Sequence, residues 1–329
     1  MRAVRLTGAR QLHVIDLPRP KPAAGDVLIR VSACGICGSD LSCYKTGVFA
    51  GAVLGHEFAG VVEAVANGSG GFRPGQPVLI DPKLPCGECR DCLGGASHRC
   101  VSALTSGPGG MRDGGLAEFV SVPVSCVYPV PEGLSVEDGC LAEPMAVAIH
   151  GVDRGGGVSP GEDAVVIGLG PIGLLTVAAL RARGAGTITG VDPVEVRRRL
   201  AKQLGADTVV PSVATAPTDV PLVFECTGRP DVLQEATNLT AAGGRVVLLG
   251  VPIGEATVMP LPWVAREISV VGSIASGPED FVAAATMLAA DPGIAAIITR
   301  RVPLDDVPAV FEELVTSPAD GKIVAIPNG

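Results

Sequence analysis

One short stretch constrains the architecture more than any other. Ala164–Ile167 is a run of apolar, mostly β-branched residues leading directly into Gly168-Leu169-Gly170-Pro171-Ile172-Gly173, and Ile172–Arg183 then has helical length and apolar spacing. A G-x-G-x-x-G sequence means little alone. Between a strand and a helix its glycines have separate tasks: a tight turn, close backbone approach to a pyrophosphate, and packing of helix on strand. The anion then rests on unpaired N–H groups at the helix start. Asp192 lies nineteen residues past Gly173, at the end of the next strand candidate, Thr187–Val191. A carboxylate there can accept hydrogen bonds from both ribose hydroxyls and would repel a 2′-phosphate, so NAD is expected over NADP. Arg197, Arg198 and Arg199 follow; their simplest reading is a solvated helix face, although a basic residue there can border the adenine ribose. Strand candidates at Leu222–Cys226, Arg245–Leu249 and Ile268–Val271, with Val194–Leu204 helical, extend the alternation into βαβ units and a parallel sheet.

The residues before this stretch have a different texture. Val27–Val31 and Gly60–Val65 are β-branched runs bounded by Gly and Pro, and long amphipathic helices are scarce. The reading is therefore α/β with a division of labour: a β-rich domain over 1–152, a dinucleotide-binding domain over 153–290, and a return to the first domain over 291–329. The returning segment carries short strands and a helix near Val307–Leu314. A chain of 329 residues suits two domains, and 47% hydrophobic against 18% charged residues supplies their cores and excludes disorder. A net charge of −9 argues against a nucleic-acid partner. Mean hydropathy of +0.42 raises the question of a membrane span, and Ala164–Leu180 is the candidate. Its three glycines and proline fit a strand, turn and buried helix better than a span. The first residues alternate like a strand and show no apolar signal core, so a cytoplasmic protein is expected.

Ten cysteines need a reason. Cys86, Cys89, Cys92 and Cys100 fall in one loop-like lobe, 84–102, at spacings of three, three and eight. Four thiolates so close match a closed tetrahedral zinc site, which is structural because no position stays open. Stray disulfides or buried thiols are the weaker alternative for so polar and glycine-rich a loop. A second constellation joins Cys37-Gly38-Ser39-Asp40, Gly55-His56-Glu57 and Glu143-Pro144. One thiolate, one imidazole and one carboxylate would hold zinc with a position open, and open zinc lowers the pKa of a bound hydroxyl. Taken singly, His56 reads equally well as a turn histidine, and Cys37 as a small buried residue.

Together these motifs resemble the zinc-containing medium-chain dehydrogenase/reductase family, in its alcohol and polyol branch. The resemblance rests on GICGSD at 35–40, GHE at 55–57, the cysteine lobe at 86–100 and DGGLAEF at 113–119. AEPMAVAIHG at 142–151, GLGPIG at 168–173, FECTG at 224–228 and GKIV at 321–324 complete it. It implies a GroES-like catalytic domain around a Rossmann domain, two zinc ions per chain, and oxidation of a secondary alcohol to a ketone. Cys37 and His56 become ligands of the catalytic zinc, with Glu57 or Glu143 as the carboxylate. Asp40 orients the site, and Ser39 passes the substrate proton outward. Pro171, Ile172, Thr227, Gly250 and Ser273 join Gly168, Gly170, Gly173, Asp192 and Arg197 around the cofactor. Family habit implies a homotetramer first and a homodimer second, with a small-molecule alcohol or ketone as substrate.

Some features depart from the family. Ser42 stands where a histidine often ends the proton relay, and a hydroxyl cannot store a proton near neutral pH. Val210–Val220 is too short for the usual helix, so a loop crossover is expected. Gln76 replaces the aspartate of the family's GDRV turn. Reduction of a ketone with NADPH would use the same residues in reverse. A non-catalytic binding relative would be expected to lose Cys37, His56 or the loop glycines, and all are present. Few aromatics (3%) favour a polyol, sugar or cyclitol-like substrate over a bulky one. Arg112 could face such a substrate, but reads first as a turn arginine on the surface.

Overall fold

The computed structural model describes residues 1–67, 70–317 and 319–329, and the chain divides into two compact units, Met1–Glu143 with Gly277–Gly329, and Pro144–Ser276. The first unit opens with a hairpin of β1 (Arg2–Gly8) and β2 (Gln11–Asp16). The long strand β3 (Asp26–Gly35) follows, then helix α1 (Gly38–Thr46), β4 (Glu57–Val65) and β5 (Pro77–Ile80). Two short helices, α2 (Arg90–Leu93) and α3 (Val101–Thr105), carry the cysteine lobe before β6 (Phe119–Pro123) and β7 (Val127–Pro129). The β-branched runs seen in the sequence lie within β3 and β4, which pair antiparallel. Their inward residues, among them Val27, Ile29, Val31, Phe58 and Val62, enter one apolar core with Val120, Val122 and Phe311. That alternation is what turns a β-rich segment into a half-buried sheet.

Helix α4 (Ala142–Arg154) begins at the boundary and leads into the second unit. There β8 (Ala164–Ile167), α5 (Pro171–Ala182), β9 (Ile188–Val191), α6 (Glu195–Gln203) and β10 (Thr208–Val210) form the first half. The second half is β11 (Val220–Glu225), α7 (Val232–Leu239), β12 (Thr240–Leu248), α8 (Leu261–Arg266) and β13 (Ser269–Gly272). The sheet order is β10-β9-β8-β11-β12-β13, all parallel. This is the doubly wound 3-2-1-4-5-6 order, whose ligand crevice lies at the carboxyl ends of its first and fourth strands. Strands β8 and β9 are buried at every residue, as a sheet covered on both faces requires. The short link from β10 to β11 holds only a 3₁₀ turn at Val213–Thr215, so the expected loop crossover is what forms.

The chain then returns through α9 (Pro278–Ala290), β14 (Ile298–Val302), α10 (Val307–Thr316) and β15 (Lys322–Ala325). β14 and β15 extend the first unit's sheet, in the order β14-β15-β3-β4-β5-β7 with β6 also on β3. The sequence placed the divisions after residues 152 and 290; the structure places them after 143 and 276. Packing explains both moves. A Cβ on Gly151 or Gly155 of the region beginning with α4 would strike Leu249 or Val247 of the second unit. Phe281 of α9 instead packs on Tyr128 in the first unit, with ring centroids 4.9 Å apart. Among the described residues no helix is long and apolar enough to cross a membrane, and the tempting stretch at 164–180 is β8, the glycine turn and part of α5.

Candidate active site and metal centres

The cysteine lobe is built by turns. Gly87 and Gly95 adopt the left-handed region at φ +80° and +78°, which lets the chain fold back around one point. Cys89 and Cys100 each cap a short helix, which aims both side chains inward. The four ligand atoms lie within 4.8 Å of one another, with Sγ–Sγ separations of 3.5 Å (Cys89–Cys92), 3.6 Å (Cys86–Cys100) and 3.9 Å (Cys86–Cys92). Sulfurs about 2.3 Å from a tetrahedral ion stand about 3.8 Å apart. The lobe therefore has the dimensions of a zinc–thiolate cage and not of disulfides. Backbone N–H groups of Cys86 and Ala103 lower the Cys100 thiol to about 6, whereas burial and the Cys89 thiol push Cys92 up to about 12.

The second group is held at the start of α1. Cys37 is its N-cap, and the Cys37 N–H donates to Asp40 Oδ2 at 3.0 Å. Asp40 Oδ1 accepts from the Gly55 N–H at 3.3 Å and faces His56 Nδ1 at 3.4 Å. One buried carboxylate thus ties together the two segments that carry the candidate ligands and leaves His56 Nε2 for a metal, the arrangement by which outer carboxylates orient ligating histidines. Burial alone would raise the Asp40 carboxyl, but the His56 charge and three hydrogen bonds hold it below its ordinary value. Burial would likewise lower His56, yet Asp40 and Cys37 hold it well above. Cys37, His56 and Glu57 bring ligand atoms within 4.8 Å of one another.

Glu143, the alternative carboxylate, is not among the ligand atoms that converge. Its carboxylate, in the first turn of α4, feels the charges of His56 and Glu57 but stays outside the converging set. Burial is the main cause that raises its carboxyl above the ordinary value, partly offset by the charge of His56. Ser39 is exposed beside Cys37 in the first turn of α1, while Ser42 donates its hydroxyl to the Gly38 carbonyl at 3.2 Å. Arg112 lies 3.8 Å from Asp26 with its side chain 49% exposed, which is the turn arginine first read.

In the second unit the three loop glycines do three different things. A Cβ at Gly168, which has φ +87°, would meet Thr227 Cγ2 at 2.7 Å; one at Gly173 would meet the Gly168 carbonyl oxygen at 1.8 Å. At Gly170 nothing lies within 4 Å, so the backbone is bare where a pyrophosphate must approach. Pro171 opens α5, and Ile172 follows it beside the open backbone. Asp192 accepts from Leu169 N–H and Val194 N–H, each at 2.8 Å. Arg197 sits 3.3 Å from its Oδ2, and Arg198 donates to its carbonyl at 2.7 Å. Only Arg199, paired with Glu195 on the open side of α6, fits the solvated face that the sequence suggested for all three. Helix periodicity explains the split, since neighbours on a helix point about 100° apart.

Two contributors escaped sequence reasoning. Glu225 accepts from the N–H groups of Thr227 and Gly228 and from the Thr227 hydroxyl, shaping the loop that carries Thr227. Gly250 packs so closely on Gly228 that its Cβ would lie 2.1 Å from the Gly228 nitrogen. Ser273 Oγ is buried without a hydrogen-bond partner, as a group awaiting a ligand would be. The other missed residue is Lys322, on Glu57. The signal for both was visible as the acid of FECTG and the lysine of GKIV, which were matched as motifs without a role. The donor sets fit zinc, and the bare glycine with the orphaned serine fits a dinucleotide.

Known proteins carry the same pattern. Residues 23–132 match the alcohol dehydrogenase GroES-like domain, and residues 171–290 match the zinc-binding dehydrogenase domain. Sorbitol dehydrogenase of Bacillus subtilis is 33% identical over 83% of this chain and 81% of its own length. L-idonate 5-dehydrogenase of Vitis vinifera is 35% identical over 82% and 79%. A Sinorhizobium meliloti crystal structure with bound NADP, described as a zinc-binding dehydrogenase, superposes with a TM-score of 0.89 at 32% identity, covering 99% of both chains. With both domains matched and relatives of this identity spanning most of its length, the chain belongs to the zinc-containing alcohol dehydrogenase family and is a nicotinamide-dependent oxidoreductase.

Proposed function

We propose that this enzyme oxidises a secondary hydroxyl of a polyol, sugar or cyclitol-like substrate to the ketone with NAD, using zinc held by Cys37, His56 and Glu57. The observation that carries the reading is the convergence of those three ligand types beside an Asp40–His56 pair. Bound zinc supplies a Lewis acid that acidifies the hydroxyl, and bound nicotinamide accepts the hydride. The protein's own work is positioning. Asp40 fixes the tautomer and direction of His56, and Ser39, exposed in the same turn of α1, takes the hydroxyl proton toward solvent. Ser42 gives its hydrogen to a helix carbonyl, so the proton leaves through water instead of a stored site. Gly170 brings bare backbone to the pyrophosphate, Gly168 and Gly173 make the close turn and packing that hold it there, Asp192 takes the ribose, and Thr227, Gly250 and Ser273 line the remaining path.

NADP is the second reading, favoured by Arg197. Its guanidinium beside Asp192 offsets the charge that would repel a 2′-phosphate. Named relatives acting on sorbitol and L-idonate support the polyol class. A homodimer or homotetramer is supported by the edge strand β13 and by Val251, Ile253, Leu261 and Val264, exposed in the segment that links β12 to β13. The test is zinc content by emission spectrometry on wild type and Cys37→Ala, with NADH and NADPH formation on a polyol panel. Two zincs falling to one, with activity abolished, is the expected result. One zinc in both proteins with no reduced cofactor from any alcohol would overturn the reading.

A further inference from the structure

Strands β4 and β5 pair with Ala59 opposite Leu79. Glu57 comes two residues before Ala59 and Asp81 two residues after Leu79, so both acids leave the same end of the ladder. The turn 138–141 is seated there too: a Cβ at Gly139 would meet Leu79 Cδ2 at 2.5 Å and the Ala59 Cβ at 3.1 Å. That seat brings Glu143, just past the turn, into the same neighbourhood, and the charges of His56, Glu57, Lys83 and Asp81 all reach its carboxyl. Lys83 is a cation of this group. Its Nζ lies 2.5 Å from Asp81 Oδ1 and 5.8 Å from the centre of the Phe281 ring, within cation–π range. The Lys83 backbone N–H donates to the same aspartate oxygen at 3.2 Å, and the Asp81 N–H donates to the Cys126 carbonyl at 2.8 Å. The two side chains are only 10% and 7% exposed.

A buried ion pair is a poor way to stabilise a fold, because desolvation consumes most of the attraction. The metal ligands do not need this one: Cys37 and His56 are anchored by Asp40, and Glu57 has its own partner in Lys322. A substrate could use it. A polyol reacts at one hydroxyl and leaves the others to be held, and a hydroxyl both donates and accepts. An ammonium that donates beside a carboxylate that accepts meets both demands. Because Asp81 cancels the charge of Lys83, the pair suits a neutral hydroxyl better than a carboxylate or phosphate, which would need an uncompensated cation. We propose that Lys83 and Asp81 form a substrate-binding pair that holds a second hydroxyl of a neutral polyol while the first is at the metal centre. The proposal rests on the reading of that centre as the site of a zinc-dependent polyol dehydrogenase.

The test compares kcat/KM in zinc-loaded wild type, Lys83→Met, Asp81→Asn and the double variant. The substrates are the fastest neutral polyol among sorbitol, xylitol and inositol, then gluconate, which adds a carboxylate, and isopropanol, which has no second hydroxyl. Lys83→Met should lower the polyol-to-isopropanol ratio at least about tenfold, as expected when a hydrogen bond to a charged group is lost. Asp81→Asn leaves the ammonium uncompensated and should raise the gluconate-to-polyol ratio at least about tenfold. The double variant leaves neither charge buried alone, so it stays decisive if a single variant fails to fold; its polyol-to-isopropanol ratio should fall as in Lys83→Met. A smaller change in any of these ratios would overturn the proposal. Wild type that oxidises isopropanol as efficiently as every neutral polyol would overturn this proposal alone. Wild type that oxidises none of these alcohols would overturn the zinc-dependent reading with it.

Discussion

At the scale of single residues, the loop glycines separate what the fold needs from what the cofactor needs. Gly170 is the N-cap of α5 at φ −68°, a conformation open to any residue, and its surroundings are empty. Gly170→Val should therefore change stability by less than about 1 kcal/mol, while the added side chain occupies the pyrophosphate's approach. NADH titration by fluorescence should show Kd raised at least about tenfold, equivalent to about 1.4 kcal/mol. Gly173→Ala is the contrast. Its Cβ would sit 1.8 Å from a carbonyl oxygen, so the helix must shift, and overpacking of this kind costs about 1–3 kcal/mol in a melting experiment. If the two substitutions lowered stability equally, the bare backbone at Gly170 would be structural. Asp40→Asn should weaken the catalytic zinc about 10–100-fold by chelator titration, through lost orientation of His56. Residue identity made these groups legible in the sequence, because a thiolate, an imidazole or a tight glycine turn has few other uses in such company. Partners were not legible. Nothing in the spacing of Glu57 and Lys322, 265 positions apart, announces an ion pair, and only folding β15 against β3 creates it.

Elements were legible where local pattern and tertiary context agree. Ala164–Ile167 was read with its observed bounds because a buried parallel strand is uniformly apolar and a glycine turn ends it. Boundaries between units were misplaced because a helix records only that one face is apolar, not which unit covers it. Both α4 and α9 lie at such junctions. The junction of β9, α5 and the turn after α6 shows how polar pins complete what apolar pattern begins. Asp207 accepts from the Ile188 N–H at 2.8 Å and from Arg181, whose guanidinium also holds the Gly205 carbonyl. The Ile188 hydrogen bond, followed by Arg181, lowers the Asp207 carboxyl below its ordinary value. A depressed folded-state pKa contributes stability above the unfolded carboxylate's pKa, and that stability is lost as pH falls through the folded value. Asp207→Asn should thus lower the melting temperature near neutral pH and converge with wild type in acid. Because Asp207 is 47% exposed, solvent screening keeps the effect below about 1 kcal/mol, or roughly 2–4 °C. A difference that persisted unchanged into acid would exclude the ionised carboxylate as its source.

At the scale of the molecule, the two chemistries have separate foundations. Both metal groups belong to the unit Met1–Glu143 with Gly277–Gly329, whereas the glycine loop, Asp192, Thr227 and Ser273 belong to Pro144–Ser276. Each has its own apolar core, one gathered around β3 and β4, the other around β8 and β11. Removing zinc should therefore act on one unit. Without the ion, four thiols of the lobe lose the centre that binds them, and the loop 84–102 has few buried residues to hold it. Calorimetry of protein stripped by a strong chelator should show the metal-bearing unit melting earlier, with the dinucleotide unit's transition in place. NADH titration of the same sample should give Kd within about threefold of the zinc-loaded protein, a difference of about 0.7 kcal/mol. Loss of NADH binding together with the metal would show that the metal-bearing unit supplies cofactor contacts of its own, beyond the glycine loop. Retention, with alcohol oxidation abolished, would assign binding of the cofactor to the doubly wound sheet and the chemistry to zinc.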